Sequence, residues 1–284
     1  MSDKPQVSIR ENVAFGRGGD RELLCDVFTP PEPAPGAPGV LLVHGGGWRA
    51  GDKGQMRAYG VQLALRGFVC VSSSYRLVPA ASWPAPVQDV NAAIRYMRAN
   101  AGPLGIDQEK LAAVGASAGA HLVLLAAGTP GLAEFQGEGG HAGVATQLQA
   151  VVGIFAPTVI AGRGQRPSGS VPGSVLLQDD DGEARARQAS PVTHVTPSYP
   201  PTLLLHGTAD KVVPPSASMR MYEVLSDAGV PADLHMVAEQ PHGYVVQRDY
   251  HRLSCDQISV FLRRYLGLIP KVRMPEFATG QMRF

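Results

Sequence analysis

Residues 114–122 read VGASAGAHL, one serine among two glycines and three alanines. They follow the apolar stretch LAAV (111–114) and lead into the apolar stretch HLVLLAAG (121–128). The pattern is thus strand, tight turn, helix, with Ser117 at the turn. In a parallel α/β sheet, ligands bind at the carboxyl ends of the strands. A serine lifted out of a strained turn at that edge is placed for nucleophilic work, and bulky flanking residues would collide with their neighbours. With 33 glycines in the chain, Gly-x-Ser-x-Gly by itself decides little. Its position between a strand and a helix is what gives it weight.

The same alternation extends both ways. VLLVHGGGW (40–48), FVCVSSSYRL (68–77), LQAVVGIFAP (148–157), PTLLLHGTAD (201–210) and ADLHMVAE (232–239) read as strands, the first four around continuous apolar runs. QMRAYGVQLALRG (55–67), PVQDVNAAIRYMRANAG (86–102), AGAHLVLLAAG (118–128), PSASMRMYEVLSDAG (215–229) and QISVFLRRYLG (257–267) read as helices. VSIRENVAFG and RELLCDVFTP form a hairpin-like start around GRGGD, and the Pro-rich residues 31–40 can only be a connection. The expected fold is α/β. A mostly parallel central sheet carries helices on both faces, its N-terminal edge is antiparallel, and a single domain spans residues 1–284. Residues 129–147 and 158–195 break the alternation and are expected to form a small cap. The acidic run at Asp179–Asp181 reads as a solvated loop.

Composition narrows the function. Lys plus Arg is 25, Asp plus Glu is 24, and the net charge is +1. That balance gives no reason to expect nucleic acid or a membrane surface as partner. Cys25, Cys70 and Cys255 stand at wide spacing with no metal-ligand or disulfide pattern, so neither metal nor cofactor is expected. The N-terminus shows no signal-peptide pattern, which makes a cytoplasmic location the expectation. The tail after Leu266 has no helical period, and oligomeric state is left open, a homodimer among the options.

A serine needs a base and an oxyanion site. His44-Gly45-Gly46-Gly47-Trp48 follows the first buried strand, and its glycines leave backbone N–H groups free to point at a ligand. Gly46 and Gly47, with Ala118 at the start of the helix after the serine, are the expected oxyanion donors. Among eight histidines, His206 and His235 fall inside strands and read as packing residues. His121 lies one turn below Ser117 as a supporting group. His141 and His194 lie in the expected cap, and His251 lies in an exposed charged run. His242, in EQPHGY, follows the last strand in a Pro/Gly loop that reaches back over the carboxyl edge. Asp210 ends its strand at the same edge, whereas Asp89 reads as a structural acid near a helix start. The order Ser117, Asp210, His242 is that of an α/β-hydrolase triad. Trp48 and Trp83 are candidate substrate-pocket walls.

The stretches LLVHGGGWRAGDK, SSYRLVPAASWPAPVQDV, VGASAGAHL, ASPVTHV, PTLLLHGTADKVVP and QPHGY together resemble the α/β-hydrolase superfamily, in its esterase branch with an HGGGW oxyanion motif. Ala116 stands where hormone-sensitive-lipase-like esterases carry Asp. SAGAHL and WRAGDK are closer to bacterial feruloyl, acetylxylan and arylformamide hydrolases. The resemblance implies a serine carboxylesterase, and the short polar cap points to short-chain, soluble small-molecule esters. An arylformamidase or other amide hydrolase would use the same residues. A non-catalytic ligand-binding module is disfavoured because all three triad members are present.

Overall fold

The computed structural model describes residues 6–269. Strands β1 (Ser8–Gly18), β2 (Arg21–Thr29), β3 (Ala37–Val43), β4 (Val69–Ser73), β5 (Ile106–Ala116), β6 (Ala150–Ile154), β7 (Val159–Ala161), β8 (Ser170–Pro172), β9 (Thr202–Gly207) and β10 (Ala232–Val237) are joined by five main helices. These are α1 (Arg57–Ala64), α2 (Ala85–Ala99), α3 (Ala118–Gly128), α4 (Ser216–Asp227) and α5 (Arg248–Tyr265). Eight strands make one sheet in the order β1-β2-β4-β3-β5-β6-β9-β10. β2 runs antiparallel to both β1 and β4, and the remaining pairs are parallel. The expected α/β fold with an antiparallel N-terminal edge is therefore what the chain adopts.

Period-two alternation decides which helix meets which residue. Along β3, Leu41 and Val43 join the cluster containing Val87 and Val90 of α2, Leu122 of α3 and Met221 of α4. Val40 and Leu42 point the other way, into the cluster of Tyr59 and Leu63 of α1 and Ile258, Phe261 and Leu262 of α5. Every residue of β3 is buried, which is why its apolar run has no polar alternation. The three cysteines are buried and free. Burial pushes the thiols of Cys25 and Cys255 up to about 12, so they are packing groups rather than nucleophiles.

Two elements differ from expectation. α5 begins at Arg248, nine residues before the apolar period becomes evident at Gln257. Its buried stripe starts with the small residues Ser254 and Cys255, which carry little periodic signal. β10 is the outer strand next to β9, and His235 on it is exposed and accepts from Gln257 Nε2 at 3.0 Å. An edge strand leaves one side to solvent, so His235 is not the packing residue the strand pattern implied.

The two interrupting stretches pack beside α2 and α3. Residues 129–147 lie along α2, tied by Asn91 Nδ2 to the Phe135 carbonyl (2.8 Å) and Arg95 Nε to the Gly140 carbonyl (2.8 Å). Residues 158–195 hold the β7–β8 pair and short helical turns at Ser174–Leu177 and Glu183–Gln188. Within the acidic run, Asp181 is buried and paired with Arg163 at 2.8 Å rather than solvated. Most of the tail after Leu266 lies outside the described residues, as does the start of the N-terminus.

Candidate active site

β5 leads into the serine turn. Ser117 follows its last residue, with φ +52° and ψ −119°, a backbone conformation that non-glycine residues rarely adopt. The turn is held from both sides. Ser117 N–H donates to the Ile154 carbonyl at 2.8 Å, and the Ser117 carbonyl opens α3 by accepting from His121 N–H at 3.0 Å. A side chain at Gly119 would lie 2.2 Å from the Val43 carbonyl oxygen, and one at Gly115 would lie 2.3 Å from the Gly119 oxygen. The small residues in VGASAGAHL thus permit α3 to start directly against the end of β3.

Ser117 Oγ lies 3.1 Å from His242 Nε2, and His242 Nδ1 lies 2.6 Å from Asp210 Oδ2. Both His242 contacts are met by one tautomer, with Nδ1–H donating to the carboxylate and Nε2 accepting from the serine hydroxyl. Asp210 is buried and receives further donors. Val212 N–H (2.8 Å) and Val213 N–H (2.9 Å) bond Oδ1, and His206 Nε2 approaches Oδ2 at 3.2 Å. Ser218 Oγ is 2.7 Å from His206 Nδ1, so Nδ1 accepts and Nε2–H donates toward Asp210 and the Val213 carbonyl. Burial lowers the pKa of His206, and it is a neutral donor. His206 was expected only to pack; it is a polar support for the acid.

The glycine loop after β3 reaches the same place. A side chain at Gly45 would meet Ser117 Cβ at 3.2 Å. Gly46 and Gly47 have φ of +112° and +59°, and the Gly46 carbonyl accepts from Arg49 and Ala50 N–H. Among the described residues, the N–H groups of Gly46, Gly47 and Ala118 donate to no protein acceptor. For Ala118 this follows from its place at the first turn of α3.

Trp48 and Trp83 are corrected by the structure. Both are buried, and neither lines the cavity over Ser117. Trp48 Nε1–H donates to His121 Nδ1 at 3.2 Å, and Trp83 Nε1–H donates to Gln188 Oε1 at 3.1 Å. A buried indole must place its N–H on an acceptor, and neither acceptor is among the residues lining the cavity. His121 is fully buried, and its Nε2–H donates to the Ala189 carbonyl at 2.7 Å. Burial pulls its pKa down to about 4. The expected supporting role becomes specific: His121 ties the glycine loop to α3 and to residues 158–195.

The cavity itself, about 920 Å³, opens over Ser117 and His242. Its walls come from α1, α5 and the loop before α5, with Met56, Tyr59, Phe155 and Val245 as the apolar surface. Phe155, at φ +41°, packs its ring 4.5 Å from that of His242. His251, expected in an exposed run, is half-buried, lines this cavity and packs edge-on against Tyr59 at 4.4 Å. No residue of 129–147 or 158–195 contributes to the lining, so neither stretch roofs this cavity. Among the described residues, no group of three His, Cys, Asp or Glu side chains is placed to hold a metal ion. No described helix is long and apolar enough to cross a membrane.

The BD-FAE family model matches residues 25–225. The chain belongs to the BD-FAE family. The BD-FAE match takes in Ser117, Asp210 and the glycine loop and ends before His242. The chain is 35% identical to Esterase LipC of Mycobacterium tuberculosis over 219 residues, 72% of this chain and 52% of that protein. It is 33% identical to Esterase LipQ of the same organism, over 77% of this chain and 53% of that one. The chain therefore spans about half the length of these relatives. A truncated form of a carbohydrate esterase from gut microbiota has the same fold, with a TM-score of 0.81 at 26% identity. That match covers 94% of this chain and 99% of the other.

Proposed function

We propose that this protein is a serine carboxylesterase that cleaves soluble esters through an acyl-enzyme on Ser117. The observation that carries the reading is the continuous relay from Ser117 Oγ to His242 (3.1 Å) and from His242 to Asp210 (2.6 Å). It is assembled from three strand ends that are far apart in sequence. The named esterases among its relatives support the same reading.

In the proposed reaction, His242 Nε2 takes the hydroxyl proton as Ser117 Oγ attacks the ester carbonyl carbon. The imidazolium is stabilised by the Asp210 carboxylate, which also keeps the ring in the productive tautomer. The oxyanion is received by the free N–H groups of Gly46, Gly47 and Ala118, and the start of α3 adds a favourable dipole. Collapse breaks the C–O bond, and His242 returns its proton to the departing alcohol. Water then attacks the acyl-enzyme with His242 as base, releasing the acid and restoring Ser117.

The cavity modifies the substrate expectation. A volume of about 920 Å³ is at the upper end for small-molecule sites, and more than a short-chain ester fills. The proposed substrate is therefore a soluble ester with one bulky, largely apolar arm, rather than a short-chain ester only. The test is Ser117→Ala assayed with 4-nitrophenyl acetate. Turnover should fall to background while circular dichroism and the thermal transition stay as in the parent. Retained turnover would overturn the serine mechanism.

A further inference from the structure

The cavity lining carries charge of one sign only. Its lining contains Arg248 and Arg252, one turn apart at the start of α5, and no Asp or Glu. Both arginines are exposed, and among the described residues neither makes an ion pair or a side-chain hydrogen bond. Of the nearby carboxylates, Glu11 pairs with Arg57 and Asp256 with Arg66 at 2.6 Å, while Asp249, between the two arginines on α5, is exposed and does not line the cavity.

The polar groups beside the two arginines present donors as well. Gln62 Oε1 accepts from Arg66 Nη1 at 2.9 Å, which leaves its amide N–H groups for the cavity. Tyr59 is spoken for: Ser254 Oγ donates to the His251 carbonyl at 2.8 Å, so the Tyr59 hydroxyl donates to Ser254 Oγ at 2.8 Å. The tyrosine therefore offers its ring rather than its oxygen. The one cavity thus joins Ser117 and His242, the apolar side chains of Phe155, Met56, Tyr59 and Val245, and the guanidinium and amide donors of Arg248, Arg252 and Gln62.

Resting on the esterase reading above, we infer that the cavity selects esters whose longer arm ends in a carboxylate, held by Arg248 and Arg252. Guanidinium groups offer forked N–H donors that match a carboxylate. Two of them in a lining that holds no Asp or Glu give an otherwise largely apolar cavity an anion-accepting side. The arginines are specificity residues; they touch neither the scissile bond nor the relay.

The test compares paired probes, each anionic ester against its neutral methyl-capped counterpart. For the acyl arm these are mono-4-nitrophenyl suberate and its methyl ester. For the alcohol arm they are 4-acetoxybenzoate and methyl 4-acetoxybenzoate. Each kcat/KM is normalised to the uncatalysed rate. At least one pair should favour the anionic probe by about fivefold, the range open to two exposed ion pairs. The ratio should fall toward one in Arg248→Gln/Arg252→Gln, and in the parent when salt is raised from about 0.02 to about 0.5 M. Ratios near or below one in both pairs, or a preference that survives the double substitution, would overturn the inference. A parent protein inactive on 4-nitrophenyl acetate would instead bring down the esterase reading and this inference with it.

Discussion

Asp210 organises the proposed relay more than its distance from the serine suggests. Four donors converge on its two oxygens: the N–H groups of Val212 and Val213, and the rings of His206 and His242. Asp210→Asn offers an amide in place of one acceptor oxygen. The amide N–H₂ must face either backbone donors or imidazole N–H, and in the second case it inverts the His242 tautomer. The expected result is a drop in kcat of about 10⁴ with the fold retained, read from steady-state kinetics on 4-nitrophenyl acetate beside a thermal melt. A drop under about tenfold would show that Asp210 does not orient the base. Asp210 and His242 were legible in the sequence because each lies just past the end of an apolar strand. His206 was not, because a histidine inside a strand looks the same whether it packs or donates.

The turn from β5 into α3 stores the steric constraint that the serine needs. Gly119 sits where any Cβ would meet the carbonyl oxygens of Val43 and His44, at 2.2 and 2.4 Å. These are backbone atoms of the neighbouring strand and its loop, and they cannot rotate away. Gly119→Ala should therefore push α3 off β3, costing about 1–3 kcal/mol, and should lower kcat/KM because Ala118 and the glycine loop move apart. Urea denaturation and the same ester assay check both effects. Unchanged stability and rate would mean that the turn is not under this constraint. The need for small residues was plain in VGASAGAHL; the partner they approach was not, since β3 lies some seventy residues earlier. α5 shows the converse. Its apolar period is visible only from Gln257, yet its first two turns, from Arg248 onward, supply the charged wall of the cavity.

Acid sensitivity belongs to the molecule as a whole, because His121 joins three parts of it. It accepts from Trp48 beside the glycine loop, stands on α3, and donates to Ala189 in the 158–195 stretch. Its folded pKa, about 4, lies below its ordinary value of 6.5. The unfolded chain therefore binds more protons than the folded one between these two values. Stability is full above pH 6.5 and falls as pH drops toward 4, by at most about 3 kcal/mol from this residue. His44, His206 and His251 are lowered in the same direction by burial and add to the slope. His121→Gln has no proton to take up, so its melting temperature should decline less steeply between pH 6.5 and 4 than the parent's. Equal slopes would remove His121 from the account.

What the sequence determined by itself is what local sterics and periodicity encode. Apolar runs of strand length alternating with helical periods specify a parallel α/β sheet. A serine between small residues specifies the turn, and three glycines after a strand specify a loop with free N–H groups. Tertiary structure alone decided which side of that sheet each remaining residue faces. It buried Trp48 and Trp83, moved His251 into the cavity, turned His206 toward Asp210 and left the two interrupting stretches off the cavity lining. Except for His206, whose partners Asp210 and Ser218 are 4 and 12 residues away, those outcomes depend on contacts between distant segments, such as Trp48 with His121, 73 residues apart, and Tyr59 with Ser254, 195 apart. No local pattern carries them, because each indole, imidazole or hydroxyl settles wherever the assembled core leaves it a partner.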